Sequence, residues 1–328
     1  MPCVSPLKGF KDPWTGGLTF DRSNTQEEMD VACGQCLGCR IDWRRMWSMR
    51  IAHEASLHEY SGGNSFITLT YRDPLECTPE QWIRGDHVPS DWSLNPRHWE
   101  LFMKRLRKFF EPQQLRFFAA GEYGRKCKHG VDLRRVSCPL CRVGRPHFHA
   151  IIFNGSFPDL VSYQSDGNIT RWTSPTLERI WRYGFVDVAP FTYNAGQYVA
   201  GYILKKMSGA RSHDQYLSVD LDGVITWLEP EFVRMSRNPG VGRVWFEKYF
   251  QDVFPSDEVP VPGKGVFRGV PRFYEECYAE VFEAELEEIK KVREAFMREH
   301  ADDYTPERLM DKYKCMVAKQ KLFESEHK

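Results

Sequence analysis

The chain has 328 residues, 41% of them hydrophobic and 14% aromatic, which suffices for a substantial buried core and excludes disorder except near the ends. The 45 basic and 45 acidic residues balance, so the net charge does not indicate a nucleic-acid partner. A DNA-binding surface must come from local basic clusters such as 40–45 and 104–108, although each cluster alone is more typical of a solvated helix face.

The first part of the chain alternates predicted helices and strands. Residues 1–40 carry Gly, Pro and Cys without clear periodicity. Apolar positions at helical spacing then predict a helix from Ile41 to about His58. β-branched and aromatic residues predict strands at 65–71 and 115–120, and an amphipathic helix is expected between them at 96–110.

The second part begins with a predicted insertion at 125–146, followed by a strand at 147–153. This strand is apolar on both faces apart from two histidines, which is typical of the central strand of a sheet covered by helices. The remaining expectations are a helix at 174–183, a strand at 185–188, a helix at 195–207, wrapping segments at 228–250 and 254–272, and a charged helical segment at 274–301. This last segment can be a docking helix or a solvated one, and its charge favours the solvated alternative.

The two histidines of that strand form a candidate metal site. His147 and His149 are two residues apart, so they point to the same face and can share one divalent ion. Glu122 ends the preceding predicted strand and can add a carboxylate if the two strands pair. Two imidazoles and one carboxylate leave coordination positions open for Mg²⁺ or Mn²⁺ engaged with a phosphate. The alternatives are polar residues on a half-exposed strand and, for Glu122, a solvated turn residue.

A pair of tyrosines provides candidate nucleophiles. Tyr198 and Tyr202 are four residues apart, so a helix places both phenols on one face, roughly 6 Å apart along its axis. Lys205 and Lys206 follow about one turn later, where they can hold phosphate or favour phenolate. A tyrosine pair at this spacing is also typical of core packing, so the pair alone does not decide the function.

These motifs resemble a known family. The segment from Arg145 to Phe153 resembles the HUH motif, and Tyr198-x-x-x-Tyr202 followed by Lys205-Lys206 resembles the two-tyrosine motif of microvirus replication initiators. Together with further segments, the chain from about Cys33 to Tyr274 resembles the replication initiators of gokushovirus-type phages, which have circular single-stranded DNA. The further segments are Cys33–Arg40, Thr68–Tyr71, Lys104–Leu106, Gly121–Gly124 and Ser236–Gly242.

The resemblance implies an α+β fold with an HUH endonuclease core, in which helices flank a central antiparallel sheet. It implies a rolling-circle initiator that nicks and joins single-stranded origin DNA. Tyr198 and Tyr202 are the expected nucleophiles, either attacking first, and one of them retains the 5′ phosphate while a 3′ hydroxyl primer is freed. Lys205 and Lys206 are expected phosphate contacts. The expected ligands of a catalytic Mg²⁺ or Mn²⁺ are His147, His149 and Glu122.

Two cysteine clusters predict structural zinc. Cys33, Cys36 and Cys39 are separated by two residues each, and a tetrahedral zinc site needs a fourth ligand, for which Cys3 is the candidate. An iron–sulfur cluster or reduced thiols remain alternatives for this first set. A second set lies in the predicted insertion, comprising Cys127, His129, Cys138 and Cys141. The family's loop is usually short at that place, so the second site rests on spacing alone. Cys77, Cys277 and Cys315 have no such pattern and are expected to pack.

The predicted organisation has three parts: a Cys-rich zinc-binding segment at 1–40, the endonuclease domain at 41–273 with its Cys/His insertion at 125–146, and a helical tail at 274–328. No apolar run approaches the roughly 20 residues that span a bilayer and no signal peptide is evident, so no membrane partner is expected. The expected location is the host bacterial cytoplasm. Single-stranded origin DNA is the expected partner, with host helicase and polymerase as further candidates.

Two alternatives stay open. A HUH transposase or plasmid relaxase would use the same chemistry on another substrate. A non-catalytic, zinc-containing nucleic-acid-binding protein would use His147 and His149 only for packing.

Overall fold

A computed structural model describes residues 3–15, 17–22, 28–166, 169–201, 215–219 and 222–326. The chain divides into two compact units, one comprising 1–46 and 272–328 and the other 47–271. The division into three functional parts stays a prediction. Among the described residues, no helix combines the length and the apolar character needed to cross a bilayer.

The strands in chain order are β1 Leu7–Lys11, β2 Leu18–Thr19, β3 Glu28–Val31, β4 Asn64–Tyr71, β5 Arg116–Tyr123, β6 Pro146–Phe153, β7 Val161–Asp166, β8 Ile169–Thr173, β9 Gly184–Pro190, β10 Leu217–Val219, β11 Ile225–Trp227, β12 Phe232–Met235, β13 Glu258–Val261 and β14 Gly265–Arg268. The helices are α1 Leu37–Ser56, α2 Pro79–Arg84, α3 Pro96–Phe110, α4 Pro175–Trp181, α5 Tyr193–Gly201, α6 Arg243–Tyr249, α7 Arg272–Glu299 and α8 Pro306–Glu326.

A seven-stranded sheet in the order β12-β5-β6-β4-β9-β8-β7 organises the larger unit. All of its recorded pairings are antiparallel. The predicted α+β class with a large antiparallel sheet is thereby confirmed. Strand β6 has neighbours on both sides, as expected from its apolar sequence.

Helical layers cover both faces of the sheet. On one face, Phe148 and Ile152 of β6 join a core that includes Trp99 of α3 and Trp181 of α4. On the opposite face, Ile151 and Phe153 join a second core with residues of α1 and α5, namely Ile51, Ala55, Val199 and Ala200. Side chains alternate between faces along a strand, so β6 supplies both cores and directs His147 and His149 to the α1 and α5 face.

Most predicted elements are observed, and the following differences bear on the site and the ends of the chain. Strand β5 continues to Tyr123, beyond the predicted end at 120, because Glu122 and Tyr123 pair with His147 and Pro146. The helical tail predicted at 274–328 is observed as two helices, α7 and α8, and the start of α8 at Thr305-Pro306 carries an ordinary helix-start signal. The short strands β1 to β3 form a small sheet in a region for which no strand was predicted.

The isolated cysteines divide between the interior and the surface. Cys277 is buried and Cys77 is half-buried, whereas Cys315 is exposed. The expectation that all three pack is therefore wrong for Cys315, which lies on the solvent-facing side of α8. The helix predicted at 195–207 is observed as α5 through Gly201, and its remaining positions, 202–207, lie outside the described residues.

Candidate metal centre and its surroundings

Strand register brings the predicted triad together. Glu122 of β5 is directly opposite His147 of β6, and His149 lies two residues further along the same face. The Glu122 Oε1 atom lies 2.7 Å from His147 Nε2 and 3.1 Å from His149 Nε2, and the two Nε2 atoms are 3.1 Å apart. Glu122 is 4% exposed, which excludes the solvated-turn alternative for this residue.

The electrostatics of the triad favour an ionised carboxylate. Burial raises the pKa of the Glu122 carboxyl, but the hydrogen bonds and charges of His147 and His149 outweigh it and hold the pKa well below its usual range. The carboxylate thus keeps its negative charge although it is almost entirely removed from water. A buried charge of this kind needs a partner, which is a protonated imidazole or a bound cation.

Hydrogen bonds on the far side of each imidazole orient the rings. His147 Nδ1 donates to the carbonyl oxygen of Arg145 at 3.2 Å, so in the neutral ring Nε2 carries a lone pair. His149 Nδ1 lies 3.0 Å from the Thr68 hydroxyl, a partner that can accept the Nδ1 proton in the same way. Both neutral rings then turn a bare Nε2 toward Glu122. Three convergent lone-pair donors fit a divalent cation, with the outer hydrogen bonds fixing the ligands.

The ring of Tyr198 lies beside this triad. It meets the His149 ring nearly edge-on, with centroids 5.3 Å apart and planes at 80°. Phe66 of β4 stacks on the His149 ring, with centroids 5.8 Å apart, and also meets the Tyr198 ring edge-on, with centroids 6.2 Å apart. Tyr198 remains 39% exposed, so its ring is accessible while it adjoins the triad.

Close packing of α5 determines the position of Tyr198. Val199 and Ala200 are fully buried in the same core as Ile151 of β6. A Cβ atom at Gly196 would lie 3.1 Å from the side chain of Ile51, so the glycine lets α5 approach α1 closely. The tyrosine is thus carried by a helix that is packed directly on the strands holding Glu122 and the histidines.

An open part of the same sheet face adjoins the triad. Phe185 of β9 pairs with Thr70, which pairs in turn with His147, so the three residues form one row across the sheet. The Phe185 ring is 48% exposed, and the Arg72 guanidinium lies 5.2 Å above its centroid. Phe185 thus provides an aromatic face, with the Arg72 cation beside it, within two strand spacings, roughly 10 Å, of the triad.

The N-terminal cysteine cluster has zinc-like dimensions. The Cys3 and Cys36 sulfurs are 3.7 Å apart, and the four ligand atoms of the cluster lie within 4.8 Å of one another. In a tetrahedral site with Zn–S bonds of ~2.3 Å, two sulfurs lie ~3.8 Å apart, whereas a disulfide joins them at ~2.0 Å. Burial raises the pKa of the Cys36 thiol, but backbone amides including that of Cys39 outweigh it and lower the pKa to about 6.

The second cysteine cluster, formed by Cys127, His129, Cys138 and Cys141, has similar dimensions. His129 Nδ1 lies 3.5 Å from the Cys138 sulfur and 3.4 Å from the Cys141 sulfur. Sulfur and nitrogen ligands of tetrahedral zinc lie ~3.5 Å apart. All four ligand atoms again lie within 4.8 Å of one another, so both predicted cysteine sets form groups that can hold a metal.

The structure brings together most of the predicted site residues but not all of them. Glu122, His147, His149 and Tyr198 share one region, whereas Tyr202, Lys205 and Lys206 lie outside the described residues. The sequence-based prediction gave no role to Thr68 and Phe66, which contact His149. The period-two alternation along β4 places Phe66 and Thr68 on one face of that strand, but only the pairing of β4 with β6 makes it the face of the histidines.

Comparisons with known proteins agree with the motifs. The family model described as "Replication-associated protein ORF2/G2P" matches residues 64–207. The replication-associated protein ORF2 of Spiroplasma virus 4 is 29% identical, covering 90% of this chain and 86% of the relative. The replication-associated protein VP4 of Bdellovibrio phage phiMH2K is 26% identical, over 85% of this chain and 77% of the relative.

A third relative, the replication-associated protein ORF4 of Chlamydia phage 1, is 26% identical over 76% of this chain and 54% of its own length. No solved structure was found to match the chain.

Proposed function

Since the chain is similar over most of its length to replication-associated proteins of a virus and two phages, we propose that it initiates rolling-circle replication by nicking and joining single-stranded DNA. The observation that carries the proposal is the convergence of Glu122, His147 and His149 beside the accessible ring of Tyr198. The core is accordingly proposed to be of the HUH class.

The triad is proposed to hold Mg²⁺ or Mn²⁺. When bound, such an ion supplies a Lewis acid that stabilises negative charge on a phosphate. Two imidazoles and one carboxylate suit a catalytic ion because they leave coordination positions open for the substrate. The outer contacts from Arg145 and Thr68 keep each Nε2 directed inward, so the ligands are oriented before DNA arrives.

The proposed reaction is a transesterification. The phenol oxygen of Tyr198 or Tyr202 forms a bond to the scissile phosphorus as its proton passes to solvent. The bond from phosphorus to the 3′ oxygen breaks, and that oxygen takes up a proton to become the primer hydroxyl. Attack by a later 3′ hydroxyl reverses the step and closes a circle without an external energy source. Lys205 and Lys206 are proposed phosphate contacts, as their spacing from the tyrosines indicates.

The exposed Phe185 ring and the Arg72 guanidinium near it support single-stranded DNA as the substrate. An exposed aromatic ring stacks on an unpaired base, and a guanidinium above the ring can pair with the adjoining phosphate. Bases in an intact duplex are stacked on each other and cannot use such a ring. Origin DNA, host polymerase and host helicase are the proposed partners, and the host cell interior is the proposed location.

The cysteine clusters are proposed to hold structural zinc. Their ligand spacings match a tetrahedral site, and each cluster fills all four positions with protein ligands, as structural rather than catalytic zinc sites do. Metal analysis tests both: about two zinc ions per chain are expected, and fewer would remove one assignment.

The decisive experiment is capture of a covalent adduct. The purified protein is incubated with Mn²⁺ and labelled single-stranded fragments of its own viral genome, and adducts are detected on a denaturing gel. Replacing both tyrosines, Tyr198→Phe with Tyr202→Phe, should abolish the adduct and leave DNA binding intact. Tyr60→Phe is the control, because Tyr60 is 99% exposed in a loop. An undiminished adduct in the double variant would refute the assignment, and binding without any adduct in the parent chain would favour a non-catalytic DNA-binding protein.

A further inference from the structure

The second cysteine cluster lies in the loop that joins the two strands of the metal triad. Strand β5 ends just after Glu122, strand β6 begins just before His147, and the cluster occupies the connection. Backbone hydrogen bonds close the base of this loop: Gly124 N donates to Arg145 O at 2.9 Å, and Arg145 N donates to Lys126 O at 2.7 Å. The carbonyl of Arg145 also accepts from the His147 ring, so the base of the loop orients a triad residue directly.

Two glycines let the two chain segments at the base of the loop approach each other closely. A Cβ atom at Gly144 would lie 1.8 Å from the Gly124 carbonyl oxygen, which no side chain permits. A Cβ atom at Gly124 would lie 3.2 Å from the His147 ring. A change in the path of the loop is therefore transmitted to the imidazole, because backbone and ring are already at contact distance.

The tip of the loop is attached to a different part of the chain. Cys141 forms an isolated antiparallel bridge with Ser218 of β10, and Val219 N donates to Leu140 O at 3.1 Å. Strand β10 comes shortly after residues 202–214, the segment that carries Tyr202, Lys205 and Lys206 and lies outside the described residues.

The chain just before β10 is anchored near the triad as well. Tyr216 is 3% exposed in the main core, and its hydroxyl donates to Glu231 Oε2 at 3.4 Å. The same carboxylate accepts from the backbone amide of Tyr123, the residue after Glu122, at 3.3 Å. The end of the tyrosine-bearing segment is thus fixed at two points to the hairpin of the triad.

Resting on the proposed function, we propose that the second cysteine cluster is a zinc-dependent positioning site. With zinc bound, it holds the loop in the path that orients His147 and Glu122, and it keeps Leu140 and Cys141 against β10. The loop has little regular structure between its base and tip, so the cluster and the apolar residues around it, Val131, Leu133 and Leu140, must offset the entropy of ordering it.

Removal and replacement of one ligand test the positioning role. His129→Ala should lose one zinc per chain, whereas His129→Cys retains a four-cysteine site and should keep it. We expect His129→Ala to bind Mn²⁺ at least tenfold more weakly than the parent chain and to form the DNA adduct correspondingly slowly. Electron paramagnetic resonance of the free Mn²⁺ ion measures the affinity. His129→Cys should restore both properties. Cys36→Ser, in the other cysteine cluster, should lose a zinc with Mn²⁺ affinity unchanged.

A second variant keeps the proposal testable if His129→Ala does not fold. Val219→Pro removes the amide that donates to Leu140, so β10 is detached while all zinc ligands remain. Zinc content and Mn²⁺ affinity should persist, and adduct formation should slow at least tenfold.

Different failures distinguish the two proposals. Folded, zinc-free His129→Ala with parental Mn²⁺ affinity and adduct rate would overturn the positioning role and leave the nicking proposal intact. Undiminished adduct formation by Val219→Pro would overturn the coupling to β10. A parent chain whose Mn²⁺ affinity depends on His129 but which forms no DNA adduct would instead contradict the nicking proposal.

Discussion

The two sets of proposed metal ligands in the larger unit are held in place by opposite means. Glu122, His147 and His149 lie on paired strands, so their backbone hydrogen bonds fix the ligand positions whether or not an ion is bound. His129 and its three cysteine partners lie on a loop whose backbone hydrogen bonds form turns and isolated bridges rather than a strand ladder. At the strands the fold creates the metal site, and in the loop the metal site must create the local fold.

The largest expected effect distinguishes these two cases. Replacing His149 by Ala should reduce Mn²⁺-dependent adduct formation by about 10³-fold or more, since an ion's stabilisation of a phosphate is worth several kcal/mol. The melting temperature should fall much less than in zinc-free His129→Ala, because the strands remain paired. Adduct assays quenched at fixed times measure the rate, and differential scanning calorimetry measures the melting temperature, with His300→Ala as the control. A larger loss of stability in His149→Ala would break the comparison.

A buried histidine outside both candidate metal sites provides the second test. His53 is fully buried, stacks on Trp245 with centroids 3.5 Å apart, and lies with Nε2 2.9 Å from the Pro260 carbonyl oxygen. Burial lowers its pKa to about 4, so the unfolded chain binds a proton more readily between pH ~6.5 and ~4. Burial of His53 as a neutral ring therefore contributes stability that is complete above pH ~6.5 and is lost as the pH falls through the folded pKa. The free energy of unfolding should fall by up to ~3 kcal/mol over this range.

Urea unfolding between pH 7 and 4 measures this loss. His53→Gln should show a shallower decline than the parent chain. Part of the slope should persist, because burial also lowers the pKa of His98 to about 4. An identical slope in His53→Gln would contradict the assignment.

A smaller effect is expected from the outer contact of the triad. Thr68→Val removes the hydroxyl beside His149 Nδ1, and Mn²⁺ affinity should fall by about 10- to 100-fold, as for other outer-shell partners of metal ligands. Thr70→Val on the same strand is the control. Equal Mn²⁺ affinities for the two variants would mean that the strands alone orient His149.

The smallest effect is expected at the proposed base-stacking ring. Phe185→Ala should weaken single-stranded DNA binding by about 1 kcal/mol, close to fivefold, the lower end for base stacking on an aromatic ring. Duplex binding should not change. Phe109→Ala is a matched control, because Phe109 is 49% exposed against 48% for Phe185 and belongs to α3, which covers the other face. Fluorescence anisotropy with short oligonucleotides measures both.

The sequence predicts the parts of the site that depend on local periodicity. The spacing of two between His147 and His149 predicts their shared face, and the order of the strands suggests Glu122 as a partner. The contact between Thr68 and His149 depends instead on how β4 pairs with β6, residues far apart in the chain, so no local pattern reveals it. Phe185 is a similar case, because its row forms only when β9 pairs with β4.

The same distinction applies to the fold. Long elements with strong periodicity, such as α3 and β6, follow from the sequence, whereas the short strands β1 to β3 lack enough residues to show a pattern. Helix α8 carries a start signal at Thr305-Pro306 but few buried residues, so the hydrophobic pattern that identifies most helices is weak there.

The alternation of side chains along β6 makes the protein sensitive to length as well as to composition. Deleting one residue within this strand would turn an imidazole toward the core of Phe148 and a phenylalanine toward the triad, even if every amino acid were individually acceptable. Deleting two would preserve the alternation. Changes of odd length should therefore be selected against within β5 and β6, whereas the alternation of faces places no such limit on the length of the loop between them.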